Sequence, residues 1–289
     1  MAKDKFTAVW VSHSSISDFL KCPKAYFYNN VYRRSESGHK IKIMQPSFAL
    51  GQAVHTVLER LSTLPTSERF KESLLMLYDR QWEKISGKRG GFSTPDQEAR
   101  YKERGAEMLR KVMENPGPLK NLAVKINMDL PYYWLSEDDN IILCGKIDWL
   151  EYNQTDDSVR IIDFKTGRTD EPNDSLQLSI YYLLAQNCQR RKVAGISYWY
   201  LERSSTPSEV PLPDPTAAHE KILEIAKKIK LARQLEIYKC PQKDGCNTCK
   251  PFEKVIAGRG EFIGVDDYNQ DIFILPDEPM EGKEESTVL

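Results

Sequence analysis

Two aspartates and a lysine near the middle of the chain combine residue types that phosphate chemistry uses. Asp163 and Lys165 are two positions apart in RIIDFKTG, so a β-strand there would project both side chains from one face. Asp148 lies upstream in CGKIDWLEY, and the turn-forming segment NQTDDS between them predicts a β-hairpin. If the hairpin folds symmetrically about Thr155 and Asp156, Asp148 and Asp163 face one another on adjacent strands.

The two facing carboxylates predict a site for a divalent cation. Such a pair repels, and the repulsion costs free energy unless a cation lies between the two groups. Oxygen ligands favour Mg²⁺ or Mn²⁺, and the imidazole of His55 would shift the preference towards Mn²⁺. Lys165 beside this cation could orient a water molecule and stabilise negative charge on a phosphate, as a phosphodiesterase requires. The simpler alternative is a solvated ion pair between Asp163 and Lys165.

Four of the six cysteines have a spacing that favours one metal centre joining the two ends of the chain. Thiolates are ligands of zinc and of iron–sulfur clusters, and such a centre can hold distant segments together. Two alternatives stay open, a redox pair in the C-x-x-C motif and thiols without a shared role. A redox pair is expected at the start of a helix after a strand, whereas this motif follows a loop that contains Pro and Gly. The four residues are Cys22, Cys240, Cys246 and Cys249.

The other two cysteines and the N-terminal sequence argue against disulfide bonds. Cys144 and Cys188 lie in apolar stretches, where a free thiol behaves as a small buried hydrophobe. The N-terminus lacks the charged segment and following apolar segment of a secretion signal, which predicts a reducing environment. No apolar run is long enough to span a bilayer. We therefore expect a cytoplasmic, soluble protein without a membrane partner.

Composition sets only broad limits on function. The chain has 289 residues, 40% apolar and 29% charged, which is enough for one elaborated domain or two small ones. The formal net charge of −1 shows no overall basic excess, so any DNA-binding groove must be local. Short basic clusters are candidates for such a groove, although clusters of this kind are more often solvated faces. They comprise Lys21, Lys24, Arg33, Arg34, Lys40 and Lys42; Arg190, Arg191 and Lys192; and Lys227, Lys228, Lys230 and Arg233.

Two helices are expected to position the N-terminal candidates. Residues 14–31 predict a helix that begins at a Ser cap and is interrupted at Cys22–Pro23, where the cysteine can turn outward to bind a metal. Residues 48–61 predict a second helix with an apolar stripe. His55 and Glu59 occupy the neighbouring row, so His55 faces the boundary of that stripe.

The rest of the chain predicts an insertion, a set of strands and a long helix. Residues 66–118 are rich in helix formers and indicate a helical insertion without recognisable chemistry. A long helix is expected over residues 215–237, and the acidic tail 276–289 has the composition of a disordered segment. Strands are expected at residues 130–134, 140–152, 158–165 and 195–202.

These motifs resemble those of a known group of nucleases. D-x-K at Asp163–Lys165, preceded by G-x-x-D at Gly145–Asp148, resembles the core of the PD-(D/E)XK superfamily, and more narrowly its RecB-like and Cas4-like exonucleases. Further motifs agree in family order, and together they cover residues 12–252. They are S-x-S-x-I-S-D-F-x-x-C-P-x-x-Y at residues 12–26, G-x-x-x-H at Gly51–His55, Q-x-x-x-Y at Gln177–Tyr181 and C-x5-C-x-x-C at Cys240–Cys249.

The resemblance implies roles for the residues of the acidic hairpin. His55, Asp148 and Asp163 would bind the divalent metal together with the backbone carbonyl of Phe164. Lys165 would be the catalytic lysine.

The resemblance also implies roles outside the hairpin. Gln177 and Tyr181, on one face of a helix, would contact the DNA strand or support the active site, although an ordinary amphipathic helix explains the same spacing. The four clustered cysteines would hold a [4Fe–4S] cluster. Many relatives place a cysteine shortly after the C-x-x-C motif, whereas here Cys240 lies upstream, which leaves zinc as an alternative to iron.

We therefore expect an α/β restriction-endonuclease-like core over residues 1–275, with a central mixed sheet flanked by helices and a cysteine loop at 238–252 that clasps the C-terminus. The expected activity is metal-dependent hydrolysis of DNA phosphodiesters, exonucleolytic on single-stranded or open ends. No Walker A motif is present, so the chain would act alone or with a helicase or adaptation-complex partner. The alternatives are a non-catalytic DNA-end-binding subunit, which the intact acidic motif disfavours, and a zinc-stapled interaction protein, which leaves that motif unexplained.

Overall fold

The computed structural model describes residues 4–276 and shows helices and strands alternating along the chain. The α-helices are α1 (His13–Lys21), α2 (Pro23–Tyr26), α3 (Pro46–Leu61), α4 (Leu74–Glu83), α5 (Pro95–Glu114), α6 (Gln177–Cys188), α7 (Pro215–Leu235) and α8 (Lys250–Ile256). The strands are β1 (Val9–Val11), β2 (Lys40–Ile43), β3 (Tyr132–Ser136), β4 (Ile141–Cys144), β5 (Trp149–Asn153), β6 (Ser158–Lys165), β7 (Lys192–Tyr200), β8 (Ser208–Val210), β9 (Glu261–Val265) and β10 (Gln270–Ile274). Across residues 4–276, none of the helices is both long and apolar enough to cross a membrane.

A four-stranded mixed sheet in the order β5-β6-β7-β8 lies between layers of helices. Strands β5 and β6 run antiparallel, as do β7 and β8, whereas β6 and β7 run parallel. The parallel pair is connected through α6, because parallel neighbours need a crossover rather than a tight turn. Two smaller sheets, β1-β4-β3 and β2-β10-β9, complete the structure. The α/β class and the mixed sheet are confirmed, whereas the division of the strands among three sheets was not predicted.

Alternate residues of β6 face two separate hydrophobic cores. Val159 and Ile161 belong to the core that includes α6 and α7, whereas Ile162 and Phe164 belong to the core formed with α3, α4 and α5. Asp163 has the same parity as Val159 and Ile161, so its carboxylate points towards α6. The end of β6 that carries Asp163 and Lys165 is therefore held between the two hydrophobic cores.

The hairpin of β5 and β6 has the predicted register. Trp149 pairs with Ile162, and the ladder continues to the turn without a bulge. Extended by one residue beyond β5, this register brings Asp148 opposite Asp163. The predicted register is confirmed from Trp149 to Asn153, whereas Asp148 itself lies just before β5 rather than in a strand.

The single strand predicted over residues 140–152 is wrong. The segment divides into β4 and β5, which belong to different sheets, and the chain changes direction at Gly145. A Cβ atom at Gly145 would lie 2.9 Å from Leu184 Cδ1 of α6, so a larger residue here would force the Leu184 side chain to shift. The residues on both sides of this break are apolar, so the sequence pattern did not show that the strand is interrupted.

The N-terminal helical segment is interrupted where the sequence predicted. α1 ends before Cys22, Pro23 begins α2, and a π-helical turn over Phe27–Val31 follows. Ser12, rather than a residue at the predicted start, caps α1 by accepting a hydrogen bond from the Ser15 N–H group. Proline at the first position of α2 lacks the N–H group that would have continued α1.

The C-terminal third contains α8, β9 and β10, which were not predicted. β10 pairs in parallel with β2, so the end of the chain is built into a sheet with its N-terminal part. Helices were expected in residues 66–118, and α4 and α5 lie there, packed on α3. Residues 277–289 of the predicted tail lie outside the described residues.

Candidate active site and cysteine centre

One helix and one strand end bring together His55, Glu59 and Asp148. α3 carries His55 and Glu59 one turn apart, and Asp148 lies immediately before β5. Their ligand atoms lie within 4.8 Å of one another. Asp148 Oδ1 is 3.3 Å from His55 Nδ1, while Oδ2 accepts a hydrogen bond of 2.9 Å from the Phe164 N–H group. We call His55, Glu59 and Asp148 the acidic corner.

A second network fixes the lysine at the end of β6. Lys165 Nζ lies 3.0 Å from Asp163 Oδ2 and 3.1 Å from Glu171 Oε2, and it donates a hydrogen bond to Gln177 Oε1. Gln177 Nε2 in turn donates to Asp163 Oδ1 at 2.9 Å and to the Tyr181 hydroxyl at 3.2 Å. Gln177 therefore links the aspartate, the lysine and the tyrosine through one amide group.

The electrostatics of the two networks are coupled. Burial raises the pKa of Asp163 to about 7, and the charge of Asp148 adds to the rise. Burial lowers the pKa of His55, but the charge of Asp148 and a hydrogen bond to it outweigh burial and raise the pKa to about 9. Burial also lowers the pKa of Lys165, yet Asp163 and Glu171 more than offset it, so the ammonium stays charged at neutral pH.

This concentration of negative charge fits a divalent cation. Asp163 Oδ2 is buried and makes no hydrogen bond within the described part of the chain, although the Lys165 ammonium lies close enough for an ion pair. Carboxylate oxygens with one imidazole are a donor set that Mg²⁺ and Mn²⁺ accept. His55, Glu59 and Asp148 are thus the residues whose ligand atoms lie close enough together to hold such an ion. Asp163, which was predicted as a ligand, is not among them, and its carboxylate contacts Lys165 and Gln177 instead.

The site contains neighbours that sequence reasoning did not assign to it. Glu171 accepts a hydrogen bond of 2.7 Å from Ser175 Oγ, and its N–H group donates to the Tyr200 hydroxyl at 3.0 Å. His13 begins α1, and burial followed by the positive charge of Lys165 lowers its pKa to about 4, so it is neutral at pH 7. Helical spacing predicted that Glu59 lies beside His55. It could not predict that Glu59 also lies close to Asp148 of the hairpin, because that proximity depends on how α3 packs.

Four cysteines meet where α2 begins and where α8 begins. Their sulfur atoms lie within 4.8 Å of one another, and all are free thiols. Cys249 Sγ lies 3.7 Å from both Cys246 Sγ and Cys240 Sγ. Cys144 and Cys188 do not belong to this group. The structure thus joins the four predicted cysteines, which are Cys22, Cys240, Cys246 and Cys249.

Backbone N–H groups donate to the clustered sulfurs, but the pKa values of the thiols shift in different directions. The N–H groups of Ala25 and Gln242 donate to the sulfurs of Cys22 and Cys240, both at 3.4 Å. Burial raises the pKa of Cys22 to about 12. Burial acts in the same direction on Cys246, but backbone N–H groups outweigh it and lower the pKa to about 6. An all-sulfur set of this kind fits zinc or an iron–sulfur cluster.

The C-x-x-C motif follows a loop, as predicted, and it also lies directly before α8. Cys249 is the residue that precedes α8, so the motif does lie at the start of a helix, as a redox pair would. No strand leads directly into it among residues 211–249, which the structure describes. A two-cysteine redox pair also leaves Cys22 and Cys240 unexplained.

Comparison with known proteins agrees with this geometry. The family profile of the PD-(D/E)XK nuclease superfamily matches residues 10–252, well over half of the chain. The matched range includes the acidic corner, the Lys165 network and the four clustered cysteines. No curated protein matches the chain significantly. On the strength of this match, the chain belongs to the PD-(D/E)XK nuclease superfamily.

Proposed function

We propose that the protein is a metal-dependent deoxyribonuclease that removes nucleotides from single-stranded or open DNA ends. The observation that carries the proposal is the convergence of Asp148, Asp163 and Lys165 at the end of one hairpin in a nuclease fold. A surface ion pair does not explain this arrangement, because Asp163 is only 2% exposed and faces a second carboxylate.

In this proposal, His55, Asp148 and Asp163 hold Mg²⁺ or Mn²⁺ together with the backbone carbonyl of Phe164. Glu59 is a further donor within reach of the same corner. The ion, when bound, supplies Lewis-acid polarisation of the phosphate and a more acidic water molecule. Asp163 is a natural donor because burial and the charge of Asp148 raise its pKa to about 7, and a bound divalent cation would favour the charged carboxylate.

Lys165 acts on the phosphate in this mechanism. Its ammonium is held by Asp163, Glu171 and Gln177, so it is charged and directed before substrate arrives. A fixed positive charge that faces developing negative charge lowers the barrier without having to reorganise during the reaction. Gln177 and Tyr181 support this geometry, which is the role we propose for the Q-x-x-x-Y motif.

The exonuclease specificity and the biological setting are part of the proposal. The chain has no motif for ATP-driven unwinding, so a helicase or an adaptation complex is a reasonable partner that would deliver open ends. The proposal includes a cytosolic location, where thiols stay reduced and able to bind a metal. The competing function is a non-catalytic subunit that binds DNA ends, which would bind without cleaving.

The four clustered cysteines are proposed to hold a structural metal centre. The resemblance to RecB-like and Cas4-like exonucleases implies a [4Fe–4S] cluster at Cys22, Cys240, Cys246 and Cys249. One observation favours zinc: the 3.7 Å sulfur separations match the edge of a tetrahedron built on Zn–S bonds of about 2.3 Å. The role we propose is the same for both, namely to fasten the loop before α8 to the junction of α1 and α2.

Cleavage assays on end-labelled DNA test the nuclease proposal. We expect the purified protein to shorten single-stranded DNA from an end when Mg²⁺ or Mn²⁺ is present. EDTA should stop cleavage without unfolding the protein, because the acidic corner is an open, oxygen-rich site that is separate from the cysteines, and added Mg²⁺ should restore activity. DNA binding without cleavage in either metal would instead identify the non-catalytic subunit, and cleavage that persists in excess chelator would exclude the proposed mechanism.

A further inference from the structure

A groove opens beside the acidic corner, and Lys165 is not among its lining residues. Its volume is about 480 Å³, which lies in the range of small-ligand sites, and Glu59 and Asp148 of the acidic corner form part of its wall. The wall also includes Tyr268, which lies in the turn between β9 and β10. The groove is also lined by the cationic residues Arg60, Lys125 and Lys146.

Tyr268 presents an unusually exposed ring to this groove. Its side chain is 84% exposed, whereas most aromatic residues of the protein are packed in the two hydrophobic cores. A single exposed aromatic residue alone needs no explanation. Here the ring shares a groove with candidate metal ligands, which makes its face available to a substrate that approaches the acidic corner.

The turn that carries Tyr268 is held in place. Asp266 Oδ1 accepts hydrogen bonds from the N–H groups of Tyr268 at 3.0 Å and of Gln270 at 2.9 Å. Asp266 Oδ2 pairs with Lys42 Nζ of β2 at 3.2 Å. The ring is therefore mounted on a fixed backbone, and a ligand would not have to order a loose loop.

Cationic side chains beside the ring match the charge of a phosphate backbone. Lys125 is exposed and makes no ion pair within residues 4–276. The side chain of Lys146 is 66% exposed and pairs with Glu59, while Arg60 lies 3.6 Å from Glu72. Together with Arg60, these lysines balance the three carboxylates of the groove wall, Glu59, Asp129 and Asp148, which would otherwise repel a chain of phosphates.

We propose that this groove binds single-stranded DNA next to the site of cleavage, with one unpaired base stacked on Tyr268 and its phosphates beside Lys125 and Lys146. The inference rests on the proposed nuclease function and names the substrate form. Inside a duplex every base is stacked between its neighbours, so apart from the terminal pair only an unpaired base offers a free face, and stacking on an aromatic ring tolerates every base. Tyr268 is thus a binding residue that favours single strands without reading sequence.

Binding of a fluorescent single-stranded oligonucleotide, with Ca²⁺ in place of Mg²⁺ to limit cleavage, tests the role of the ring. Tyr268→Ala should raise the Kd about tenfold, equivalent to about 1.4 kcal/mol and within the range of one base stacked on an aromatic residue. Tyr268→Phe should bind within about twofold of the wild type, because it keeps the ring. Phe6→Ala is the matched control, since this ring is 87% exposed and lies outside the groove, and its Kd should not change.

A fluorescence experiment distinguishes stacking on Tyr268 from a loss of affinity caused by a general change in the structure. With 2-aminopurine moved along the strand, its fluorescence should be quenched at one position by the wild type and by Tyr268→Phe, but not by Tyr268→Ala. Unchanged affinity and quenching in Tyr268→Ala would overturn the groove proposal while leaving the nuclease proposal intact, provided the wild type cleaves. A wild type that neither binds nor cleaves single-stranded DNA would instead overturn the proposed function itself.

Discussion

Lys165 is the most constrained charged group of the proposed site. Three acceptors, from Asp163, Glu171 and Gln177, surround its ammonium, and only 18% of its side chain is exposed. A buried lysine without partners would lose its proton more easily, but these neighbours raise its pKa above the ordinary value. The residue is therefore positioned to act as a fixed positive charge rather than as a general base at neutral pH.

We predict that Lys165→Ala and Asp163→Asn each reduce cleavage about a hundredfold or more. Lys165→Ala removes the charge that faces the phosphate, and Asp163→Asn removes a metal donor while keeping the side-chain shape. Initial rates on end-labelled single-stranded DNA, measured with Mg²⁺, check both variants. Circular dichroism should show that the fold is retained, because neither side chain fills a hydrophobic core.

Lys71→Ala provides a matched control for the lysine variant. The Lys71 side chain is 68% exposed, pairs only with nearby Glu68, and lies outside the site, so its removal should leave the rate unchanged. Near wild-type cleavage by folded Lys165→Ala or Asp163→Asn would reject the assignment of these residues.

The sequence could identify those site residues that lie close together along the chain. Asp163 and Lys165 share a strand face, and the hairpin register follows from the turn, so their meeting with Asp148 could be predicted. Glu171 and Tyr268 carry no comparable local signal. Their proximity to the site depends on how the loop after β6 and the turn after β9 fold back, which no short-range pattern encodes.

At the scale of elements, the sheet β2-β10-β9 fastens the C-terminal part to the N-terminal part. Asp271 of β10 is 1% exposed and accepts hydrogen bonds from Arg34 at 2.7 Å, Ser37 at 2.7 Å and His39 at 2.8 Å. All three donors lie in the segment that leads into β2. This buried carboxylate thus stabilises the parallel pairing of β10 with β2.

We predict that this carboxylate makes the protein less stable in acid. Burial alone would raise the pKa of Asp271, but the bonds from Ser37, His39 and Arg34 outweigh it and lower the pKa below its ordinary value of 3.8. A lowered pKa contributes stability that is complete above the unfolded value and is lost as the pH falls through the folded value. Asp271→Asn should reduce the free energy of unfolding by about 1.5–3 kcal/mol at pH 7.

Urea unfolding at several pH values measures this effect. The difference in stability between wild type and Asp271→Asn should shrink as the pH falls below about 4, where the wild-type carboxylate becomes protonated. Glu36, 3.5 Å from Arg34, is the other acidic group that faces this cluster, and it is present in both proteins. Asp267→Asn, an exposed position on the same hairpin, should show no such difference. A constant difference across this pH range would contradict the prediction.

The elements that sequence missed share a physical reason. β1 and β8 have three residues each, and β9 and β10 form a sheet with a partner more than two hundred residues away. Short strands carry too few alternating positions to produce a pattern, and distant pairing leaves no local trace. By contrast, α3 and α7 were predicted because their apolar stripes repeat over several turns.

Over the whole molecule, the proposed metal centre is one of several links between the two ends. Besides the four cysteines, Lys24 pairs with Glu253, and the rings of Tyr28 and Phe252 stack with centroids 6.0 Å apart. These contacts join α2 and the turn after it to α8. The surface ion pair and one ring contact are individually weak, so the thiolate centre is expected to supply most of the free energy of this junction.

We predict that Cys22→Ser and Cys249→Ser lose bound metal and thermal stability together. Metal that binds only the folded chain adds its binding free energy to folding, so the loss of several kcal/mol should lower the Tm by about 10 °C or more. Anaerobic metal analysis identifies the centre: about four irons per chain with broad visible absorbance indicates [4Fe–4S], whereas one zinc and no iron indicates a zinc site. Cys188→Ser, outside the cluster, should keep both metal and Tm. Full metal content in Cys22→Ser would show that the N-terminal segment is not part of the centre and that the centre does not link the two ends of the chain.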